Sequence, residues 1–117
     1  MKDYASMSDF EINKAVAVAT GYHPDECDIA KLNNSLVGVE WDDETGYATK
    51  TFDFCNNPAD AWPILLESHI AVAPYKYATP CAWPSSEGLT SKHVTEDGNP
   101  LRAGMIVYLK MKESKND

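Results

Sequence analysis

The stretch Asp53-Phe54-Cys55-Asn56-Asn57-Pro58-Ala59-Asp60-Ala61-Trp62-Pro63-Ile64 decides the fold. A β-rich run ends at Asp53 and Phe54, and a helix opens directly after it. Asn57 is a good N-cap because its side-chain oxygen accepts from a free amide, and Pro58 suits the first helical position, where a missing N–H costs nothing. A partial echo stands downstream in Asn99-Pro100-Leu101-Arg102-Ala103-Gly104-Met105-Ile106. Two helix starts are therefore set by local chemistry, near residues 58 and 100.

Upstream, Ser8-Asp9-Phe10-Glu11 has the spacing of a capping box. Ile12, Ala15, Val16 and Ala19 make one helical face, and Gly21 is its natural stop. Residues 22–34 carry Pro24, several charges and Asn33-Asn34, which predicts a surface loop. Leu36–Trp41 and Tyr47–Phe54 read as a hairpin turned through Asp42–Gly46. The second helix is expected over Pro58 to about Ser68, followed by a strand from His69 to Ala73. Tyr75–Thr79 is expected to extend that strand or form another, and residues 84–98 to form a loop with a short strand near Val94. The third helix, Pro100 to about Lys112, is apolar nearly all round and should be the most buried.

This order predicts an α+β domain over residues 1–112, with an antiparallel sheet of about four strands packed with three helices in an α-β-α sandwich-like arrangement. Residues 113–117 are expected to fray. The chain has 117 residues, 44% of them hydrophobic and 24% charged, which suits a single core without disulfide or metal staples.

The net charge of −8 is unevenly spread. Residues 1–70 hold thirteen acids against four lysines, a balance of −9, whereas residues 71–117 hold five acids against six basic residues, a balance of +1. Such an acidic front half repels phosphate backbone and argues against direct nucleic-acid binding. Cys27, Cys55 and Cys81 are odd in number and widely spaced, as expected of reduced thiols in a cytoplasm. No apolar leader and no run of membrane-spanning length is present, so a soluble cytoplasmic protein is expected.

No catalytic, metal or cofactor signature stands out. His23, Asp25, Glu26, Cys27 and Asp28 fit no zinc spacing. Cys81 with His69 or His93 lacks an orienting third group, and the acids from Glu40 to Glu44 belong to a hairpin tip. The better candidate is a binding surface built from the two helix starts and the aromatic residues near them: Asn57, Trp62, Tyr75, Tyr77, Trp83, Asn99 and Arg102. Helix amides suit anionic groups and aromatic faces stack on planar rings. Lys76 and Lys92 lie in the same charge-balanced half.

Three segments carry a family resemblance: Ser8-Asp9-Phe10-Glu11-Ile12-Asn13-Lys14, the stretch from Asp53 to Ile64, and Asn99 through Leu109. In them the chain resembles the NinX-like family of small accessory proteins of lambdoid bacteriophages. The resemblance implies a phage origin and a location in the host cytoplasm, and brings no activity, cofactor or catalytic residue with it. Gly104 stands where the family pattern prefers a small residue such as Ala, which would weaken the third helix by up to ~1 kcal/mol.

The function expected on these grounds is non-catalytic: stoichiometric binding of a small anionic, nucleotide-type host signal, which would counter host defence. The alternative is an acidic module that docks on a basic host or phage protein that handles nucleic acid. The apolar third helix offers surface for a homodimer.

Overall fold

The Ser8 hydroxyl accepts from the Glu11 amide at 3.1 Å, and the Glu11 carboxylate accepts from the Ser8 amide at 3.1 Å. This reciprocal pair opens helix α1, Asp9–Ala19, which buries Ile12, Asn13, Val16 and Ala17. Gly21 lets the chain leave the helix at φ 121°. The structure is a computed structural model that describes residues 3–30 and 35–115. Asn33 and Asn34 of the expected loop, and residues 116–117 of the expected tail, lie outside the described residues.

Over residues 22–30, the described part of the loop expected after α1, the chain is more ordered than its composition suggests. A 3₁₀ turn at Pro24–Glu26 is capped by the His23 imidazole, which accepts from the Asp25 amide at 3.2 Å. Strand β1, Asp28–Ile29, follows and pairs antiparallel with β2, Val37–Trp41. Two features hold the segment in place: Cys27 is buried, and the Trp41 indole donates to the Glu26 carbonyl at 2.7 Å. Neither is visible in local turn propensity.

The expected hairpin is β2 and β3, Ala48–Phe52, joined through a turn in which the Gly46 amide donates to the Asp42 carbonyl at 2.8 Å. Gly46 has φ 75° there, as its position in the turn predicts. Gly38 is required by packing: a Cβ at this position would lie 2.7 Å from the Trp41 ring and 2.9 Å from the Ala48 methyl group.

Helix α2, Pro58–Glu67, begins at the Asn57 cap and buries Ala61, Ile64 and Leu65. His69 is not the first residue of the next strand, as expected, but the left-handed residue after the helix, at φ 56°. Strand β4 is therefore Ile70–Ala73. Tyr75–Thr79 forms no strand. It lies in the connection to β5, Cys81–Pro84, which pairs antiparallel with β4. Pro74 and Pro80 bracket that connection, and neither can donate to a ladder. A short β6, Thr95–Glu96, pairs with β5.

The described strands thus number six in two three-stranded antiparallel sheets, β1-β2-β3 and β4-β5-β6, where about four in one sheet were expected. The α+β class stands. Helix α3, Pro100–Lys115, runs three residues beyond its expected end, and Glu113 accepts from the Tyr4 hydroxyl at 2.7 Å. Every residue of α3 from Arg102 to Leu109 is buried, as its apolar composition predicts. α3 packs on α1 and α2 and carries β4, β5 and β6, while α1 packs in turn on β2. The helices therefore lie between the two sheets.

Candidate functional site

The starts of α2 and α3 meet. Asn57 accepts from the Ala59 amide at 3.0 Å, and Asn99 accepts from the Leu101 and Arg102 amides at 3.0 and 3.3 Å. Asn99 also donates across to the Cys55 carbonyl at 2.7 Å and to the Asn56 side-chain oxygen at 2.9 Å. Asn56 in turn donates to Asp9 and Asp53, each at 3.1 Å. Asp60 accepts from the Asp53 amide at 2.9 Å, which closes the start of α2 onto the end of the preceding strand.

Behind this joint, Asn13 is fully buried on the apolar face of α1. It donates to Asp53 at 3.0 Å and to the Ser35 carbonyl at 2.9 Å, and accepts from the Cys55 amide at 3.0 Å. Burying an amide is tolerable only when its groups are paired in this way. Among the described residues, no buried side-chain nitrogen or oxygen lacks a partner.

Arg102 holds the other side of the joint and is only 8% exposed. Its Nη1 donates to Asp9 at 2.9 Å and its Nε to Asp97 at 3.1 Å. Its Nη2 donates to the Tyr4 and Met7 carbonyls at 3.1 and 2.6 Å. Burial works against the guanidinium charge, but the Asp97 and Asp9 carboxylates together outweigh it and raise the Arg102 pKa above its ordinary value. Asp9 and Asp97 therefore pair with Arg102, while Asp53 and Asp60 lie on the α2 side of the joint, where Asp53 accepts from Asn56 and Asp60 from the Asp53 amide.

Of the seven residues singled out in the sequence, Asn57, Asn99 and Arg102 meet at this joint. Trp62 stands one turn into α2 and is 60% exposed, with Leu66 on the same helical face and equally open. Tyr75 and the almost fully exposed Tyr77 lie in the β4–β5 connection. That connection reaches the same end of the molecule, because the Pro80 carbonyl accepts from the amide of Asp97, the partner of Arg102. Trp83 is half-buried in β5 opposite Ala71, further along the strand toward His69. The space between the helix starts is bridged by the side chains of Asn56, Asn99 and Asp9.

Sequence reasoning passed over Asp9, Asn13, Asp53, Asn56 and Asp97. Asn13 left one usable trace, an amide beside Ile12 on the face that Val16 and Ala17 continue. The three cysteines are buried and free. Burial, with Asp9 adding to it, pushes the Cys55 thiol up to about 12, and burial also raises Cys27 and Cys81. A thiol raised in this way is the reverse of an activated nucleophile. Among the described residues, no three His, Cys, Asp or Glu side chains are placed to hold a metal ion, and no helix is long and apolar enough to cross a membrane.

A sequence model of the family described as Bacteriophage P22, NinX matches residues 3–112, a range that takes in the whole joint from Tyr4 to Arg102. No curated protein and no solved structure matches the chain.

Proposed function

The chain belongs to the NinX family of bacteriophage P22, and from that premise we propose that it is a phage accessory protein that binds stoichiometrically, docking its acidic helix-start end on a basic protein. The observation that carries this reading is the group of aspartates at that end, two of them on Arg102, together with the exposed side chains of Trp62, one turn into α2, and of Tyr75 and Tyr77 in the β4–β5 connection. Acids steer a basic partner and set its orientation, while exposed aromatic side chains supply the desolvated anchors that most binding energy comes from. A host or phage protein that handles nucleic acid has the complementary charge, and the encounter would take place in the host cytoplasm. A partner held in this way is withdrawn from its own task, which is how a small protein without catalysis can blunt a host response.

The other expected reading, a small anionic ligand held by Asn57, Asn99 and Arg102, has less support. The first free amides of both helices are taken by their own asparagine caps, and the Arg102 donors are committed to carboxylates and carbonyls. An anion at Arg102 would also meet the Asp9 and Asp97 carboxylates.

The test is capture of partners from host lysate on the immobilised chain at low and at high salt, repeated with Trp62→Ala and Tyr77→Ala. Both side chains are exposed, so the variants keep the fold. A basic partner that is released by salt and lost with either variant supports the proposal. No partner, or one indifferent to salt and to both substitutions, sinks it.

A further inference from the structure

Helix α3, whose apolar composition suggested a face for a second copy, is buried within the fold from Arg102 to Leu109 and offers none. A sheet edge is a different kind of surface. It leaves a row of backbone N–H and C=O groups without partners, and proteins blunt such edges with short strands, charges, prolines or bulges. The two sheets have their edges at β1 and β3 and at β4 and β6. β1 and β6 are two residues long, and β3 carries Lys50 at its centre. β4 has none of these devices: Ile70-Ala71-Val72-Ala73 is uncharged, free of proline, and laddered to β5 without a register shift.

The ladder fixes which groups of β4 are free. The Ser85 amide donates to the His69 carbonyl, and Ile70 stands opposite Pro84, which has no amide to exchange. Bonded residues alternate in an antiparallel pair, so His69, Ala71 and Ala73 face β5 while Ile70 and Val72 turn their N–H and C=O groups outward. No further hydrogen bond reaches those groups among the described residues. The strand is also held ready to pair, because Ile70 is buried and Val72 is seated against α3 beside Gly104.

We propose that β4 pairs antiparallel with β4 of a second copy about a two-fold axis through Ala71, so that β4-β5-β6 of both copies form one continuous sheet. That register sets Ile70 opposite the partner's Val72, and every outward group of the strand then finds its complement. Charge favours a second copy as the occupant. Glu67 stands four residues before Ala71 and Lys76 five after it, both exposed, and antiparallel pairing brings each toward the other on the second copy. No acid lies between them, so two chains of net charge −8 approach along this edge without setting like charges together. The inference is independent of the docking reading, whose residues lie outside the strand.

The test is the mass of the full chain by sedimentation equilibrium, from micromolar to near-millimolar concentration, with amide hydrogen exchange followed along β4. The mass rises to that of two chains, and exchange at Ile70 and Val72 slows as it does so, whereas Ala71 and Ala73, bonded to β5 in each copy, are protected throughout. Ala71→Lys sets two ammonium groups against each other at the axis and returns the protein to a single chain. Glu67→Lys and Lys76→Glu, at exposed positions, each weaken the dimer several-fold, and the two together restore it. A parent that stays a single chain at near-millimolar concentration leaves the edge to a strand from another protein and overturns the proposal. So does a dimer whose Ile70 and Val72 amides exchange as fast as those of the single chain, or one that the charge swap fails to restore.

Discussion

The side-chain amide of Asn99 donates to the carbonyl of Cys55 at 2.7 Å, across 44 residues of sequence, and so ties the start of α3 to the segment that leads into α2. Asn57 and Asn99 look equivalent as written, each an asparagine before a proline. Only Asn99 spans both helices. Asn99→Ala therefore loses a cap, worth about 1 kcal/mol, and leaves the Cys55 carbonyl and the Asn56 oxygen without their donor, for a total of about 2–3 kcal/mol. Asn57→Ala loses its cap alone, about 1 kcal/mol. Urea unfolding of the two variants checks this, and equal losses would show that the cross-helix bonds add nothing.

Arg102 poses a sharper case. Removing it by Arg102→Met leaves the Asp9 and Asp97 carboxylates and the Tyr4 and Met7 carbonyls without their donor, and breaking a buried pair from one side costs about 3–5 kcal/mol. Arg102→Lys restores the charge but not the fork, which here addresses three directions at once, so it recovers less than half of the loss. A lysine variant as stable as the parent would mean that charge alone holds the joint.

Much of this architecture is legible in the chain because it is written locally. The Ser8–Glu11 box, the asparagine-proline starts and the Asp42–Gly46 turn each announce themselves within a few residues. What escaped needed partners distant in sequence. β1 depends on the reach of Trp41 to Glu26, and His69 was read as strand because its left-handed backbone is imposed by Ser85, sixteen residues on. The binding residues divide in the same way. Asn57 and Asn99 could be placed at helix starts from their neighbours alone, but nothing near Arg102 shows that Asp9, 93 residues away, would occupy it.

Gly104 marks the close approach of α3 to Leu65 of α2 and Val72 of β4. A Cβ there would lie 2.7 Å from a Leu65 methyl and 3.2 Å from a Val72 methyl. Alanine gains about 1 kcal/mol of helix propensity over glycine, but in the parent it must first displace the Leu65 methyl. Gly104→Ala should therefore gain less than about 0.5 kcal/mol in the parent and nearly the full amount where Leu65→Ala has already opened the space. A double-mutant cycle by thermal unfolding measures the difference. The same gain in both backgrounds would show that Gly104 is not limited by Leu65.

The buried thiols and phenols predict how the fold responds to alkali. Cys55 is raised from an ordinary 9.0 to about 12, burial being the main cause and the Asp9 carboxylate the next. Tyr4, Tyr108, Cys27 and Cys81 shift in the same direction, each chiefly through burial. All these groups are neutral when protonated. As pH climbs past about 9, the unfolded chain releases thiol protons that the folded chain retains, and the side that binds fewer protons is favoured. The contribution of these groups is therefore constant below that point and is lost between about pH 9 and pH 12, with Cys55 alone accounting for on the order of 4 kcal/mol by the end of the window. Lys110 opposes the trend, because burial lowers its pKa and the folded chain gives up that proton first. It is one group against five. Urea midpoints at about pH 8 and about pH 11 should show a clear loss for the parent and a smaller one for Cys55→Ala, whose unfolded chain has one thiol fewer to ionise. An unchanged midpoint in the parent, or an equal loss in both proteins, would mean that the Cys55 thiol reaches solvent and titrates as freely in the folded chain as in the unfolded one.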